Sequence, residues 1–107
     1  MNKKLEALLD TLENIKTPKE TVSVIHTAYE DKPRIVAFVE VDKSLSIKEK
    51  LELAFVKTNS ITEAWWDNED VNAMFPDSYC RSTSVGDMVL IDKMKYVCES
   101  DGWRALD

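Results

Sequence analysis

The chain has 107 residues, 44% of them hydrophobic, and its 20 acidic and 14 basic side chains give a net charge of −6. This length suits a single domain, residues 1–107, with one modest core. The negative charge disfavours direct binding of nucleic acid, which needs Lys and Arg to replace counterions, and also disfavours anionic membranes. No apolar run approaches the length of a membrane-spanning helix, about 20 residues, and acidic residues interrupt the N-terminal segment where a signal peptide is apolar. We therefore expect a cytoplasmic protein in which Cys80 and Cys98 are reduced.

Residues 3–16 have the pattern of an amphipathic helix. Their apolar side chains recur at helical spacing and form one stripe, made of Leu5, Leu8, Leu9, Leu12 and Ile15. Pro18 ends the helix because the residue before a proline avoids the α conformation. Two roles are open for residues 1–17. The stripe packs on the domain's own sheet, or it docks separately and contacts a partner or a second copy, as in a homodimer.

Two strands are predicted next, at residues 21–29 and 34–41, because β-branched residues there nearly alternate with polar ones. A polar turn joins them into a hairpin. His26, the only histidine, lies in the first strand on the same face as Val22 and Val24. We interpret it as a structural or surface residue, since a catalytic or ligand role needs neighbours that the sequence does not show.

A second helix is predicted over residues 47–58. Ser46 and Glu49 have the spacing of a capping box, in which the serine oxygen accepts the N3 amide and the glutamate reaches back to the cap. One face of this helix is apolar and consists of Ile47, Leu51, Ala54 and Phe55.

The segment from Thr58 to Cys80 contains no Lys or Arg, but it contains five acidic residues and several aromatic ones. A long irregular segment in a small domain is usually functional or disordered, and its aromatic residues argue against disorder. If the segment is extended, Trp65 and Trp66 point in opposite directions, so that one is in the core and the other is exposed. It is then either a loop pinned by aromatics with a solvated acidic rim, or a recognition surface. The candidate partner-binding residues are Trp65, Trp66, Asp67, Glu69, Asp70 and Phe75.

Motifs for metals, cofactors and catalysis were not found. Asp67, Glu69 and Asp70 lack the ligand spacing and the glycine of a calcium loop. The chain has only two glycines and no phosphate-binding loop. A nucleophile pair of Cys80 and His26 is conceivable, but nothing in their spacing supports it. We therefore expect no metal, no cofactor and no enzymatic activity.

The run from Arg81 to Asp92 reads as a polar turn followed by a strand at residues 87–92, and a second strand follows at 95–100. Gly86 stands where positive φ or close backbone approach is needed, and the short carboxylate of Asp87 can bond the amides of the turn. Arg81 is expected to pair with Asp87 or Asp77. The residues assigned to this structural turn are Arg81, Ser82, Ser84, Gly86 and Asp87, and the two serines are expected to bond turn amides.

This run, Arg81-Ser-Thr-Ser-Val-Gly-Asp-Met-Val, together with Tyr96 and Gly102-Trp103, resembles the C-terminal signature of small uncharacterised proteins of bacteriophages and mobile elements, including the YodL-like group. The resemblance covers Cys80 to Leu106, and the region around Trp65-Trp66 and Met74-Phe75-Pro76 is similar more loosely. The chain departs from the pattern at Asp92-Lys93, where the family often has a glycine, so a two-residue type I′ turn is not expected. The resemblance implies a phage or mobile-element origin, and it implies no catalytic residues.

The predicted fold is α+β, with a small antiparallel sheet or partly closed barrel of about four strands, one capped helix packed on it and an N-terminal amphipathic helix. The predicted function is that of a small acidic, non-enzymatic interaction protein that binds a host or phage protein through the Trp65-Trp66 segment. In the sharpest version of this hypothesis, the acidic face mimics nucleic-acid charge and occupies a basic groove of a nuclease or polymerase. Two alternatives stay open. One is an enzyme or small-ligand protein with a pocket near Arg81, Ser82, Ser84 and Asp87, and the other is a minor virion component.

Overall fold

The computed structural model describes residues 18–59, 64–75 and 80–106. The described residues form six β-strands, one α-helix and one turn of 3₁₀ helix at Trp65–Asp67. In chain order the other elements are β1 (Lys19–His26), β2 (Arg34–Asp42), α1 (Ile47–Lys57), β3 (Val71–Ala73), β4 (Met88–Ile91), β5 (Met94–Glu99) and β6 (Gly102–Leu106). The predicted N-terminal helix at residues 3–16 lies outside the described residues.

The strands form one open sheet in the order β3-β2-β1-β4-β5-β6, and every neighbouring pair is antiparallel. The prediction of about four strands, or of a partly closed barrel, is therefore wrong. The two additional strands lie at the two edges, β3 beside β2 and β6 beside β5. The sheet is open because β3 and β6 are at opposite edges and do not pair with each other.

Both edge strands were missed for reasons that lie in their sequences. The three residues of β3 follow an acidic stretch without strand-like alternation, and tertiary pairing holds the strand in place. The Glu40 amide donates to the Asp70 carbonyl and the Met74 amide donates to the Val36 carbonyl, each at 2.8 Å. Strand β6 begins at Gly102, a residue type that is depleted in strands.

The four strands that were predicted are present with shifted ends. β1 stops at His26, three residues before the predicted end, because the amides of Thr27 and Ala28 donate to the Asp87 carboxylate. The turn between β4 and β5 has two residues, and of these only Asp92 has positive φ. A type I′ turn needs positive φ at both residues, so its predicted absence is confirmed.

Helix α1 lies against one face of the sheet and starts with the predicted capping box. Ser46 Oγ accepts the Glu49 amide at 3.1 Å, and Glu49 Oε1 accepts the Ser46 amide at 3.1 Å. The helix packs on valines of β1, β2 and β4 through Leu51 and Ala54, which are both buried. Two other apolar positions stay outside the core, since Ile47 is 41% and Val56 is 64% exposed. No helix among the described residues is long and apolar enough to cross a membrane.

Candidate functional site

The residues singled out by sequence occupy two different environments. We call residues 26–28 and 80–87 the Asp87 junction, because the carboxylate of Asp87 lies at its centre. We call residues 64–75 the tryptophan edge, because they contain both adjacent indoles and the edge strand β3. The two regions touch where the indole N–H of Trp65 donates to the carbonyls of Cys80 and Arg81, at 3.0 and 3.2 Å.

Asp87 is fully buried and accepts five hydrogen bonds. Its Oδ1 accepts the amides of Thr27 and Ala28, at 2.9 and 3.0 Å, and its Oδ2 accepts the Ser84 amide at 2.7 Å. The Arg81 guanidinium donates the other two bonds, at 2.6 and 2.8 Å. Burial alone would raise the pKa of Asp87, but the arginine and the three amides outweigh it and lower the pKa to about 2. The carboxylate therefore joins the end of β1 to the turn before β4 as a charged group.

Arg81 connects the buried carboxylate to the surface. Besides Asp87 it binds Glu30 in a bidentate pair, at 2.7 and 3.1 Å, and its guanidinium lies 4.9 Å from the ring centre of Tyr29. The predicted pairing of Arg81 with Asp87 is confirmed. The hydrogen bonds to Asp87 and Glu30 outweigh desolvation and raise the pKa of Arg81, so one cation serves two carboxylates. The three charged groups together carry a net charge of −1.

Gly86 has positive φ, as predicted, with a value of 97°. A Cβ atom at this position would lie only 3.0 Å from Ala28 Cβ, so the turn also passes close to the segment that follows β1. The Gly86 amide donates to the Cys98 carbonyl at 2.8 Å, which fixes the turn to β5 as well. Both reasons for a glycine given by the sequence therefore apply here.

The polar groups of the turn are bonded mainly to each other. The Ser84 amide is taken by Asp87, and Ser84 Oγ donates to the Ser82 carbonyl at 3.3 Å. Arg81 donates to the same carbonyl at 3.0 Å. A small-ligand or enzyme site at this turn would need these groups to face a concave surface. They are instead hydrogen-bonded within the junction, which argues against a small-ligand or enzyme site at this turn.

A directed chain of hydrogen bonds runs from the end of α1 to His26. Thr58 Oγ1 donates to the Ala54 carbonyl at 2.7 Å, because a carbonyl can only accept. Thr58 then has no second hydrogen for Thr83 Oγ1, which lies 2.7 Å away, so Thr83 donates to Thr58. Thr83 in turn must accept from His26 Nε2, at 3.0 Å. The neutral His26 therefore carries its proton on Nε2 and leaves the lone pair of Nδ1 unprotonated.

That lone pair points at a thiol. Cys80 Sγ lies 3.8 Å from His26 Nδ1, within the range of a sulfur hydrogen bond in which the S–H donates. Burial lowers the pKa of His26 and raises the pKa of Cys80, so both groups are neutral at rest. Asp87 Oδ2 lies 3.8 Å from His26 Nε2 and favours the charged imidazole. The Cys80 thiol, the His26 imidazole and the Asp87 carboxylate thus lie close together, although 54 residues separate Cys80 from His26.

Sequence spacing gave no sign of this cluster. His26 ends a strand, Cys80 precedes the turn, and Thr83 was not singled out although it is almost fully buried. One signal was available for Thr83. In an extended segment neighbouring side chains point to opposite sides, so a threonine between two serines assigned to the turn should face the core.

In the tryptophan edge, Trp65 and Trp66 have different exposures. Trp65 is 2% exposed, while Trp66 is half-buried. For an extended segment the prediction was one core indole and one exposed indole. Trp65 is in the core, but Trp66 is partly buried rather than exposed, and the backbone forms a 3₁₀ turn at this point instead of an extended segment. Phe75 completes the group, and the ring centres of the three pairs lie 5.5 to 5.6 Å apart. Trp66 therefore packs on the core through the rings of Trp65 and Phe75.

The three candidate carboxylates do not act as one group. Asp67 and Glu69 are exposed and form no ion pair with another described residue. Asp70 pairs with Lys57 at the end of α1, and this hydrogen bond lowers the pKa of Asp70. The Asn68 side chain donates to the Lys57 carbonyl at 2.7 Å, so the acidic turn is fixed to the helix end. Two exposed carboxylates therefore follow Trp66 in the chain.

Within the described part of the chain, no group of three or more His, Cys, Asp or Glu side chains is arranged to hold a metal ion. No family model, no curated protein and no solved structure matches this chain.

Proposed function

We propose that this chain is a small interaction protein that binds a partner protein through the tryptophan edge. The observation that carries the proposal is the half-buried indole of Trp66, held by the rings of Trp65 and Phe75 at centre distances of 5.6 Å. An aromatic side chain that is already fixed loses little conformational entropy on binding. Tryptophan is also among the residues that most often dominate binding energies.

Neighbouring atoms extend this surface. Met74 is 51% exposed, and its unbranched side chain adapts to different partner shapes. Strand β3 is an edge strand in which Asn72 and Ala73 are exposed. An edge strand offers backbone groups with which a partner can pair. Aromatic, apolar and backbone groups thus lie within one short stretch of chain.

The negative charge of this surface favours a partner with a basic surface. Asp67 and Glu69 are exposed and lie between Trp66 and Phe75 in the chain, and the whole chain carries a net charge of −6. These carboxylates attract a basic surface and raise the rate of encounter. The resemblance of residues 80–106 to phage and mobile-element proteins makes a host protein the expected partner. In the sharpest form, the acidic face competes with nucleic acid for a basic groove.

The test is capture of a partner by the immobilised full chain, with the captured protein identified by mass spectrometry and its affinity then measured with purified components. Trp66→Ala and the double variant Asp67→Lys/Glu69→Lys are expected to weaken binding by at least about tenfold each. If the partner binds nucleic acid, added duplex DNA should displace it.

The matched control is Glu52→Lys/Asp101→Lys. Both of these acids are exposed, one on α1 and one beside the opposite edge strand β6, and the net charge changes by the same amount. Its binding should match that of the unchanged protein. If Trp66→Ala and the Asp67/Glu69 variant both keep full affinity, the proposal is wrong. If both charge variants lose affinity equally, the charge acts over the whole molecule and the acidic part of the proposal fails.

A further inference from the structure

We propose that Cys80 is a reactive thiol, with His26 as its general base, and that it forms mixed disulfides with small disulfide compounds. This site adjoins the tryptophan edge, since Trp65 donates to the Cys80 carbonyl, but it does not depend on the proposed function. The proposal starts from the hydrogen-bond chain through Thr58, Thr83 and His26, in which each donor is assigned. That chain leaves one unprotonated ring nitrogen, and the nitrogen faces Cys80 Sγ at 3.8 Å.

A nucleophile next to a base that is itself oriented by a third group is the arrangement that activates weak nucleophiles. Here the thiol is partly exposed, while the base is fully buried. Thr83 orients the ring by accepting its Nε2–H at 3.0 Å. When His26 gains a proton, Asp87 Oδ2 at 3.8 Å stabilises the imidazolium. The resting pair stays neutral, and the proton moves only as the thiol attacks.

The charged groups that act on this pair come from three parts of the fold. Glu30 lies in the connection between β1 and β2, Arg34 is the first residue of β2, and Arg81 and Asp87 lie in the turn before β4. Glu30 and Asp87 favour the imidazolium but disfavour the thiolate, whereas Arg34 and Arg81 have the opposite effects. The surrounding charges therefore oppose each other at both groups, and burial, the largest cause for each, keeps the resting pair neutral.

The geometry favours a disulfide over an acyl compound as the substrate. Acyl transfer needs hydrogen-bond donors for a developing oxyanion. Two amides of the turn that follows Cys80, those of Thr83 and Ser84, already donate, to the Thr58 carbonyl and to Asp87. Attack on a disulfide needs no such donors, because the leaving group is a thiolate.

The reaction balances without an added oxidant. Cys80 Sγ bonds to one sulfur of the disulfide while its proton moves to His26 Nδ1. The S–S bond breaks, and the second sulfur leaves as a thiolate that takes a proton from the imidazolium or from water. The products are a mixed disulfide on Cys80 and one small thiol, so the disulfide is reduced as the protein thiol is oxidised.

Cys98 provides an internal comparison. It is buried, its thiol donates only weakly to the Glu99 carbonyl at 3.9 Å, and burial raises its pKa as it does for Cys80. Cys98 is also less exposed than Cys80, so a rate difference between them does not by itself show base assistance. The test therefore uses Cys98→Ser, in which Cys80 is the remaining cysteine, with and without changes to the base.

The probe is 4,4′-dithiodipyridine, a small uncharged disulfide, and the rate is followed from pH 7 to pH 9 by release of the coloured thiol and by intact mass. In Cys98→Ser the rate should change little over this range, because the base is already unprotonated. With His26→Gln added, the rate should rise about tenfold per pH unit, as for an unassisted thiol, and at pH 7 it should be at least about tenfold lower.

Thr83→Val is a second test of whether His26 acts as the base. It removes the hydroxyl that holds the proton on Nε2 but keeps both His26 and Cys80. It should slow the reaction, whereas the same change at exposed Thr21, which donates to Glu40, should not. The proposal is overturned if the rate in Cys98→Ser rises about tenfold per pH unit, since this needs no folded His26 variant. It is also overturned if a folded His26→Gln protein reacts as fast at pH 7 as its parent.

Discussion

The Asp87 junction and the tryptophan edge both stand out in the sequence, but they differ in how their polar groups are used. In the junction a fully buried carboxylate accepts five hydrogen bonds and a guanidinium serves two acids. In the edge, a half-buried indole and two exposed carboxylates face the solvent. A buried polar group is costly unless it is bonded, so the junction must be complete for the chain to fold. The exposed carboxylates of the edge are under no such constraint.

Of the changes that test this comparison, Asp87→Asn is expected to lower the free energy of unfolding most. The change removes the buried charge, leaves Arg81 with one carboxylate, and turns an amide N–H₂ toward backbone donors. Breaking a buried charged pair in this way should lower the free energy of unfolding by about 3–5 kcal/mol. Urea unfolding measures the loss.

The matched control is Asp101→Asn, which makes the same chemical change at an exposed carboxylate in the turn before β6. It should change the free energy of unfolding by no more than about 0.5 kcal/mol. If Asp87→Asn costs no more than this control, the junction is not what holds β1 to the turn before β4.

Gly86→Ala is expected to lower the free energy of unfolding by less. The new side chain would stand at a φ of 97°, with its Cβ 3.0 Å from Ala28 Cβ. Backbone strain of this kind costs about 1–3 kcal/mol, and the steric contact adds to it. Ala28→Gly in the same chain removes the contact but leaves the strain. In a double-mutant cycle, the two changes together should therefore cost at least about 0.5 kcal/mol less than the sum of the single changes. Strict additivity would show that the close approach is unimportant.

The acid dependence of stability gives a third comparison. The pKa of Asp87 is about 2 in the folded protein and 3.8 without the fold. Because the folded pKa is the lower one, the carboxylate stabilises the protein above about pH 4 and loses this contribution as the pH falls toward 2. The contribution is about 2 kcal/mol, at about 1.4 kcal/mol for each pKa unit.

The measurement is the difference in unfolding free energy between the unchanged protein and Asp87→Asn from pH 5 downward, which should shrink by that amount. His26 has a lowered pKa and therefore costs stability below about pH 6.5. Because Asp87 favours the imidazolium, this cost differs between the two proteins, so the comparison is made with His26→Gln in both. A difference that stays constant to pH 2 would mean that the carboxylate is not held in its charged form.

Local patterns allowed the correct prediction of several features. The capping box of α1 depends on Ser46 and Glu49, which are three residues apart. The positive φ of Gly86 and the bonding of Asp87 to the Ser84 amide are likewise set within one turn. Such features follow from residue type and short spacing, so a single sequence is enough to predict them.

Features that depend on tertiary pairing could not be predicted in this way. Strand β3 forms because the Asp70 carbonyl and the Met74 amide meet β2, which lies about thirty residues earlier in the chain. The proximity of Cys80 to His26, and the pairing of Asp70 with Lys57, also depend on how the sheet and helix are arranged. No residue type marks these contacts in advance.

The most direct test of the account compares Trp66→Ala with Asp87→Asn in two measurements, the free energy of unfolding and the affinity for the captured partner. The account predicts that Trp66→Ala lowers the unfolding free energy by only about 1 kcal/mol but weakens binding at least about tenfold. It predicts that Asp87→Asn destabilises the chain and leaves the affinity of the folded fraction unchanged. A Trp66→Ala protein that unfolds as readily as Asp87→Asn, or that keeps full affinity for the partner, would contradict the account.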